Sequence, residues 1–191
     1  MRTGFRTMGD RDALRQDAHR FAPGAPDEDH VYGSCSPGWH SAGDHTTCLT
    51  EWIDDMQAAG IERVCCLLPG RQLDADDANL DLYRKAFDPR RVLHAPVPDH
   101  HLVDERKLND EILPFLDAAV AAEEPVVVHC LAGIGRTGQV LAAWLVHDRG
   151  DHPKRAIETV QKLGRDPYDA VQRGNATRAQ LFALLESAGT D

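Results

Sequence analysis

The stretch that decides the fold runs from Val126 to Val140 and reads Val-Val-Val-His-Cys-Leu-Ala-Gly-Ile-Gly-Arg-Thr-Gly-Gln-Val. Three consecutive valines form the β-branched run that is typical of a buried strand, whereas residues 139–147 combine helical spacing with good helix formers. The sequence therefore predicts the end of a strand, a short loop at residues 130–136 and the start of a helix.

The composition of this loop predicts an anion site. Gly133 and Gly135 allow the backbone to turn its N–H groups inward, and a helix that begins near Thr137 adds its unpaired amides and the positive end of its dipole. The same field would stabilise a thiolate at Cys130 and lower its pKa, which would make it a nucleophile at neutral pH. The planar guanidinium of Arg136 can donate two parallel hydrogen bonds to phosphate oxygens, which a lysine cannot.

The pattern His-Cys-x-x-Gly-x-x-Arg-Thr-Gly at residues 129–138 resembles the signature of the cysteine-dependent protein tyrosine phosphatases. The compact chain is most similar to their dual-specificity branch, and the similarity extends more loosely from Val31 to Leu185. This resemblance implies a phosphomonoester hydrolase that acts through a phosphocysteine on phosphotyrosine, and on phosphoserine or phosphothreonine, of proteins. The alternative for the loop is a glycine-rich turn beside a buried cysteine.

Apolar periodicity along the chain predicts alternating strands and helices. We expect strands at 31–34, 61–68, 91–97 and 125–129, helices at 47–59, 79–87, 105–122, 138–148 and 153–163, and one or two more helices in 165–191. Such alternation is typical of an α/β fold with a central, mostly parallel sheet flanked by helices, which binds ligands at the carboxyl ends of its strands. Pro114 predicts a local kink in its helix.

The length of 191 residues and the 42% hydrophobic content predict a single globular domain. We expect a phosphatase domain at 30–191, preceded by a partly ordered N-terminal arm at 1–29 that ends in Ala-Pro-Gly-Ala-Pro. Apolar runs are too short to span a bilayer, and the N-terminus lacks a secretory pattern, which predicts a cytoplasmic protein. A formal net charge of −10 disfavours nucleic acids and anionic membranes as partners and leaves the oligomeric state open.

The predicted reaction also needs a general acid to protonate the leaving oxygen. Asp99 follows Pro96-Val97-Pro98 and precedes Cys130 by 31 residues, which is similar to the acid-to-cysteine spacing of dual-specificity phosphatases. Asp104 is the second candidate, although it is equally suited to cap the following helix. We therefore predict that Asp99 is the acid.

The resemblance assigns further roles around the loop. The Thr137 hydroxyl would hydrogen-bond the departing sulfur, and His129 would orient the loop without transferring the proton. The phosphate would be bound by Arg136 and by the loop residues Leu131, Ala132, Gly133, Ile134 and Gly135. No metal and no cofactor are expected, because the guanidinium and the amides supply the positive field. The polar side chains of Gln172, Arg173 and Asn175 approach substrate in one interpretation and are surface residues in the other.

Several alternatives remain open from the sequence. The substrate could instead be a small phosphorylated metabolite or an RNA 5′ phosphate, and a phosphoprotein-binding module could retain the cradle without turnover. The loop interior lacks the lysines of the phosphoinositide-dephosphorylating relatives, so the resemblance disfavours a lipid headgroup. A zinc site of Cys35, His40, His45 and Cys48 is a weaker hypothesis because it lacks a close Cys-x-x-Cys pair. Cys65 or Cys66 could trap an oxidised Cys130 as a disulfide, or simply be packed core thiols.

Overall fold

The computed structural model of the chain describes residues 19–40, 43–75 and 80–189. Within these residues, five strands form one sheet: β1 (Ala22–Pro23), β2 (Val31–Ser34), β3 (Arg63–Cys66), β4 (Val92–His94) and β5 (Val126–His129). Their order is β1-β2-β5-β3-β4, with β1 antiparallel to β2 and all other neighbours parallel. The predicted α/β class with a mostly parallel sheet is confirmed.

Helices lie on both faces of this sheet. Within the described residues they are α1 (His45–Ala58), α2 (Gly70–Ala75), α3 (Leu80–Phe87), α4 (Glu105–Lys107), α5 (Leu113–Ala121), α6 (Gly135–Arg149), α7 (Pro153–Lys162), α8 (Asp169–Gln172) and α9 (Arg178–Ser187). A 3₁₀ turn at Pro89–Arg91 precedes β4. None of these helices is long and apolar enough to cross a bilayer.

The helix predicted at 105–122 is interrupted where the sequence places Pro114. A π-helical turn, Leu108–Ile112, separates α4 from α5, and the N–H of Leu113 donates to the carbonyl of Leu108. Proline has no N–H for the regular helical ladder, and the wider π turn accommodates its ring. The predicted kink therefore takes the form of a π turn.

The central strand β5 is buried on both faces, which explains its continuous apolar run. Val126 and Val128 point into a core that contains Leu141 and Trp144, and Val127 points into a second core on the opposite face. All three valines are fully inaccessible to solvent. Burial between two helical layers is typical of parallel sheets and holds the end of β5 in a rigid position.

The described end of the N-terminal arm packs against the domain. Ala22 pairs with Gly33 across β1 and β2, and the ring of Phe21 stacks on Tyr32 with 5.0 Å between centroids. The edge strand β1 tolerates Pro23 because the outer side of an edge strand needs no backbone donor. Residues 1–18 lie outside the described residues, and the arm boundary at residue 29 stays a prediction.

Candidate active site

Cys130 directly follows β5 at the carboxyl ends of the parallel strands, and its side chain is buried. The loop from Cys130 to Arg136, called the phosphate loop below, joins β5 to α6. Its Leu131 carbonyl accepts a hydrogen bond from the N–H of Ser36 at 2.9 Å. The predicted strand, loop and helix are therefore present, and the end of β2 supports the loop from the side.

Gly133 makes the tightest turn of the phosphate loop. Its φ is +70°, and a β-carbon at this position would lie 2.5 Å from the carbonyl oxygen of Ser34. Any other residue would therefore meet both backbone strain and a backbone clash. The close approach explains why glycine occupies this position in the loop.

A second guanidinium, that of Arg165, supports the phosphate loop from behind. Its Nη1 donates to the carbonyl of Gly133, and its Nη2 donates to the carbonyl of Gly33 at 2.7 Å and to that of Arg20. Burial lowers the pKa of Arg165 to about 10. No sequence pattern points to Arg165, because a single arginine after a helix belongs to no motif. Its three carbonyl partners are distant in sequence.

Arg136 is buried, and its guanidinium faces the loop that follows β4. Its Nη1 donates to the carbonyl of Val97 and to Oε1 of Gln72, both at 3.0 Å, while its Nη2 lies 2.8 Å from Oδ1 of Asp99. Three groups from two other segments thus hold the plane of the guanidinium. The planar fork of arginine can donate in several directions within one plane, which suits these three contacts. Its predicted contact with phosphate relies on the same geometry.

The loop at residues 97–103, called the acid loop below, brings Asp99 to the site. Besides Arg136, the Asp99 carboxylate accepts a hydrogen bond from Nε2 of Gln72 at 3.1 Å. Asp104 instead caps α4, because its Oδ1 accepts from the N–H of Lys107. Of the two candidate acids, Asp99 is the one that meets Arg136.

Gln139 on α6 anchors the far end of the acid loop. Its buried side chain accepts a hydrogen bond from the N–H of Val103 at 2.9 Å and donates to the carbonyl of His101 at 3.4 Å. Gln72 and Gln139 were not singled out in the sequence. Neither belongs to a short motif, and only the packing of α2 and α6 brings them to this loop.

His129 is fully buried between the aromatic rings of Trp52 and Tyr83. Its Nδ1 donates to the carbonyl of Cys130 at 3.3 Å, and burial lowers the pKa of His129 to about 4. The ring is therefore neutral at physiological pH, which fits an orienting role better than proton transfer. That role stays a prediction.

The remaining predicted residues lie where the motif places them. Leu131, Ala132, Gly133, Ile134 and Gly135 form the turn between Cys130 and Arg136. Thr137 is buried in the first turn of α6, and its hydroxyl has no hydrogen-bond partner among the described residues. Its predicted bond to the Cys130 sulfur is not formed here, and its role, like phosphate binding by the loop, stays a prediction.

The three polar residues after α7 make contacts within the protein. Gln172 donates to Asp166 at 2.7 Å, Arg173 lies 3.9 Å from the carboxylate of Asp169, and the Asn175 amide donates to the carbonyl of His100 at 2.9 Å. Asn175 thus reaches the acid loop. All three residues are exposed, as the surface interpretation expected, and their approach to substrate stays a prediction.

The other cysteines are buried free thiols. Burial raises the pKa of Cys35 to about 11 and that of Cys66 to about 12, so both are protonated at neutral pH. Burial also raises the pKa of Cys65. In the described part of the chain, no group of three or more His, Cys, Asp or Glu side chains is arranged to hold a metal ion.

A cavity of about 270 Å³ lies beside the phosphate loop. It is lined by Ser36, Pro37, Gly38, Trp39, Gly43, His45, Cys48 and Leu131. Two residues of the weaker zinc hypothesis, His45 and Cys48, therefore face the space next to Leu131 and do not meet Cys35 and His40 in a metal cluster.

These features are those expected of a cysteine-dependent phosphatase. They are a buried cysteine at the end of a central parallel strand, a glycine turn and a buried arginine that pairs with an aspartate. Residues 40–150, more than half of the chain, match the family model described as "Polymorphic toxin system, DSP-PTPase phosphatase". The chain belongs to this family, and the resemblance read from residues 129–138 is confirmed.

The chain resembles individual curated proteins over shorter stretches than it matches the family model. Dual specificity protein phosphatase H1 of Variola virus is 33% identical over 67 residues, which are 35% of this chain and 39% of the viral protein. Mpk3 of Drosophila melanogaster, also a dual specificity protein phosphatase, is 37% identical over 60 residues, which are 31% of this chain and 15% of that protein. The chain thus matches well under half of the length of these curated relatives.

Solved structures match over most of the chain. A mutant form of Tk-PTP has a TM-score of 0.63 at 25% identity and covers 85% of this chain and 91% of its own. PTPMT1 in complex with PI(5)P has a TM-score of 0.65 at 16% identity and covers 88% of this chain and 93% of its own. At this identity the second likeness shows the fold alone.

Proposed function

We propose that this protein hydrolyses phosphomonoesters of phosphorylated proteins through a phosphocysteine. The observation that carries the proposal is the contact between the proposed phosphate-binding arginine and the proposed acid. Arg136 of the phosphate loop and Asp99 of the acid loop meet at 2.8 Å beside the strand end that carries Cys130. Membership of the phosphatase family supports the same reaction.

In the first step, the Cys130 thiolate attacks phosphorus and forms the S–P bond while the bond from phosphorus to the leaving oxygen breaks. Arg136 and the amides of the phosphate loop stabilise the charge on the non-bridging oxygens. Asp99 gives its proton to the leaving oxygen, so that an alcohol or phenol departs instead of a poor alkoxide or phenoxide.

In the second step, water attacks the phosphocysteine and the S–P bond breaks, which returns the thiolate of Cys130. Asp99 is now a carboxylate and takes the proton of the attacking water, so that it ends the cycle in the protonated form. The Thr137 hydroxyl, which is buried and has no partner in the described part of the chain, would donate to the departing sulfur. His129 keeps the Cys130 carbonyl in place through its Nδ1.

The direct test is hydrolysis of p-nitrophenyl phosphate by the wild-type protein and by Cys130→Ser. The proposal expects turnover in the wild type and its loss in the variant, because a serine hydroxyl is a far weaker nucleophile at neutral pH. Rapid acid quench followed by mass spectrometry should find the phosphoryl group on the peptide that contains Cys130. Full activity of Cys130→Ser would contradict the proposal.

The substrate class is tested with a phosphopeptide panel that compares phosphotyrosine with phosphoserine and phosphothreonine. We propose a phosphotyrosine protein as the substrate, with the other two also admitted. A chain that hydrolyses only small phosphorylated metabolites or an RNA 5′ phosphate would reassign the substrate. A chain that binds phosphopeptides without hydrolysing them would be a binding module.

We further propose that the protein acts in the cytoplasm and requires no metal ion. The acidic net charge of −10 supports a substrate that is recognised locally at its phosphate, and it disfavours nucleic acids and anionic membranes as partners.

Because Arg136 and the loop amides supply the positive field, EDTA should leave the turnover of p-nitrophenyl phosphate unchanged. Loss of activity in EDTA with recovery on adding a divalent ion would contradict this mechanism.

A further inference from the structure

We propose that His100 is a positioning residue for the acid Asp99, and that it acts by bridging the acid loop to Asp169. This inference rests on the proposed function, because it concerns the acid of that reaction. No motif in the sequence assigns a role to His100. The structure places it between two carboxylates that belong to different segments.

The contacts of the imidazole ring define the bridge. Nδ1 of His100 lies 2.8 Å from Oδ2 of Asp169, and Nε2 lies 3.7 Å from Oδ2 of Asp99. A carboxylate can only accept, so Nδ1 carries the proton and donates it to Asp169. The contact to Asp169 is a hydrogen bond, whereas the distance to Asp99 exceeds hydrogen-bond range. The ring therefore anchors the loop at Asp169 and stands beside Asp99 without binding it directly.

Asp169 is itself seated on the phosphate loop. A β-carbon added to Gly135, the first residue of α6, would lie 2.8 Å from both the β-carbon and Oδ2 of Asp169. Gly135 immediately precedes Arg136 in the chain. The bridge from His100 to Asp169 thus connects the acid loop to the start of the helix that carries Arg136, and it fixes the two halves of the site relative to one another.

The backbone of His100 shows that the bridge holds an unfavourable conformation. Its φ is +58°, in the left-handed region that residues with a β-carbon rarely adopt. In this conformation the N–H of His100 donates to Oδ1 of Asp99 at 3.1 Å, and its carbonyl accepts from Asn175. The turn that places Asp99 is therefore held by contacts of His100 with the segment at 169–175.

The test compares two substrates that differ in their need for an acid. Phenyl phosphate has a poor leaving group, whereas 2,4-dinitrophenyl phosphate has a good one that departs without protonation. His100→Ala should lower kcat for phenyl phosphate by about 10-fold or more, because a small displacement of a catalytic group is costly, and should change kcat for 2,4-dinitrophenyl phosphate less than about 2-fold. Asp169→Asn, which weakens the bridge from the other side, should have the same selective effect.

His100→Asn is the conservative variant, because its amide can donate to Asp169 from nearly the position of Nδ1. It should recover most of the activity lost in His100→Ala. The matched control is His147→Ala, which removes another histidine–aspartate pair, His147 with Asp117 at 3.0 Å, away from the acid loop. That variant should show no selective loss with phenyl phosphate.

A readout that does not depend on activity keeps this inference separate from the proposed function. Amide hydrogen exchange in the acid loop should be faster in His100→Ala and Asp169→Asn, and unchanged in His100→Asn and His147→Ala. Unchanged exchange in His100→Ala, or an equal loss with both substrates, would overturn the inference. Absence of Cys130-dependent turnover in the wild type would instead overturn the proposed function, and the exchange measurement would still decide whether the bridge exists.

Discussion

Asp99 and Arg136 form an ion pair in which Oδ1 of the carboxylate lies 2.8 Å from Nη2 of the guanidinium, although 37 residues separate them in the chain. The guanidinium is buried, and the Asp99 side chain is 30% exposed. The residue proposed to protonate the leaving group therefore contacts the residue proposed to bind the phosphate.

Removing the acid should affect poor leaving groups most. Asp99→Asn should lower kcat for phenyl phosphate by about 100-fold or more, since general acid catalysis contributes on that scale, with a much smaller effect on 2,4-dinitrophenyl phosphate. Steady-state kinetics with both substrates measures the contrast. Asp104→Ala is the control: loss of the α4 cap should cost about 1 kcal/mol of stability in urea denaturation and leave kcat unchanged. Equal activity of Asp99→Asn and wild type would reassign the acid.

Arg136→Lys should lower kcat/KM for p-nitrophenyl phosphate by at least about 100-fold. Lysine keeps the charge but cannot reproduce the planar fork, which here contacts Val97, Gln72 and Asp99 together. The exposed Arg90 provides the control, since Arg90→Lys changes a surface side chain and should leave the kinetics intact. A fully active Arg136→Lys would show that fork geometry is not needed.

Gly133→Ala should destabilise the protein and abolish turnover. The added β-carbon would lie 2.5 Å from the carbonyl oxygen of Ser34 in a backbone with φ of +70°, which should cost about 3 kcal/mol or more. Gly60→Ala separates strain from clash, because Gly60 also has positive φ but its β-carbon would meet no atom of the described, non-adjacent residues within 4 Å. Urea denaturation should show a loss of about 1 kcal/mol there, with full activity. Equal losses at the two glycines would contradict the clash.

The buried His129 should make stability depend on pH between about 6.5 and 4. Burial holds its pKa near 4 in the folded protein, whereas the unfolded chain binds the proton near 6.5. The unfolded state therefore gains protons first as the pH falls, and about 3 kcal/mol of stability present above pH 6.5 should be lost progressively down to pH 4. Urea denaturation across this range measures the slope.

His129→Asn is the matched variant for that measurement. Its amide can donate to the Cys130 carbonyl as Nδ1 does, but it does not titrate. The variant should be less stable at pH 7.5 and show a shallower loss between pH 6.5 and pH 4. An identical pH dependence in the variant and the wild type would assign the effect to other groups.

The local features of the site could be predicted from the sequence because they depend on near neighbours in the chain. A run of valines favours a buried strand, glycines permit the turn, and helix formers follow, so that Cys130 and Arg136 could be placed on one loop. The spacing of the acid also pointed to Asp99. The two-residue strand β1 could not be predicted, because Ala22 and Pro23 have no strand propensity and pair only with the preformed edge of β2.

The sequence by itself determined the strand, the turn and the helix start that form the phosphate loop, since these follow from the steric preferences of adjacent residues. Only the tertiary structure decided what surrounds that loop. Gln72 meets Arg136 across 64 residues, His100 meets Asp169 across 69, and Arg165 meets Gly33 across 132. Such contacts depend on how helices pack against the sheet, which no local pattern encodes, and they support the loops that carry Asp99 and Arg136.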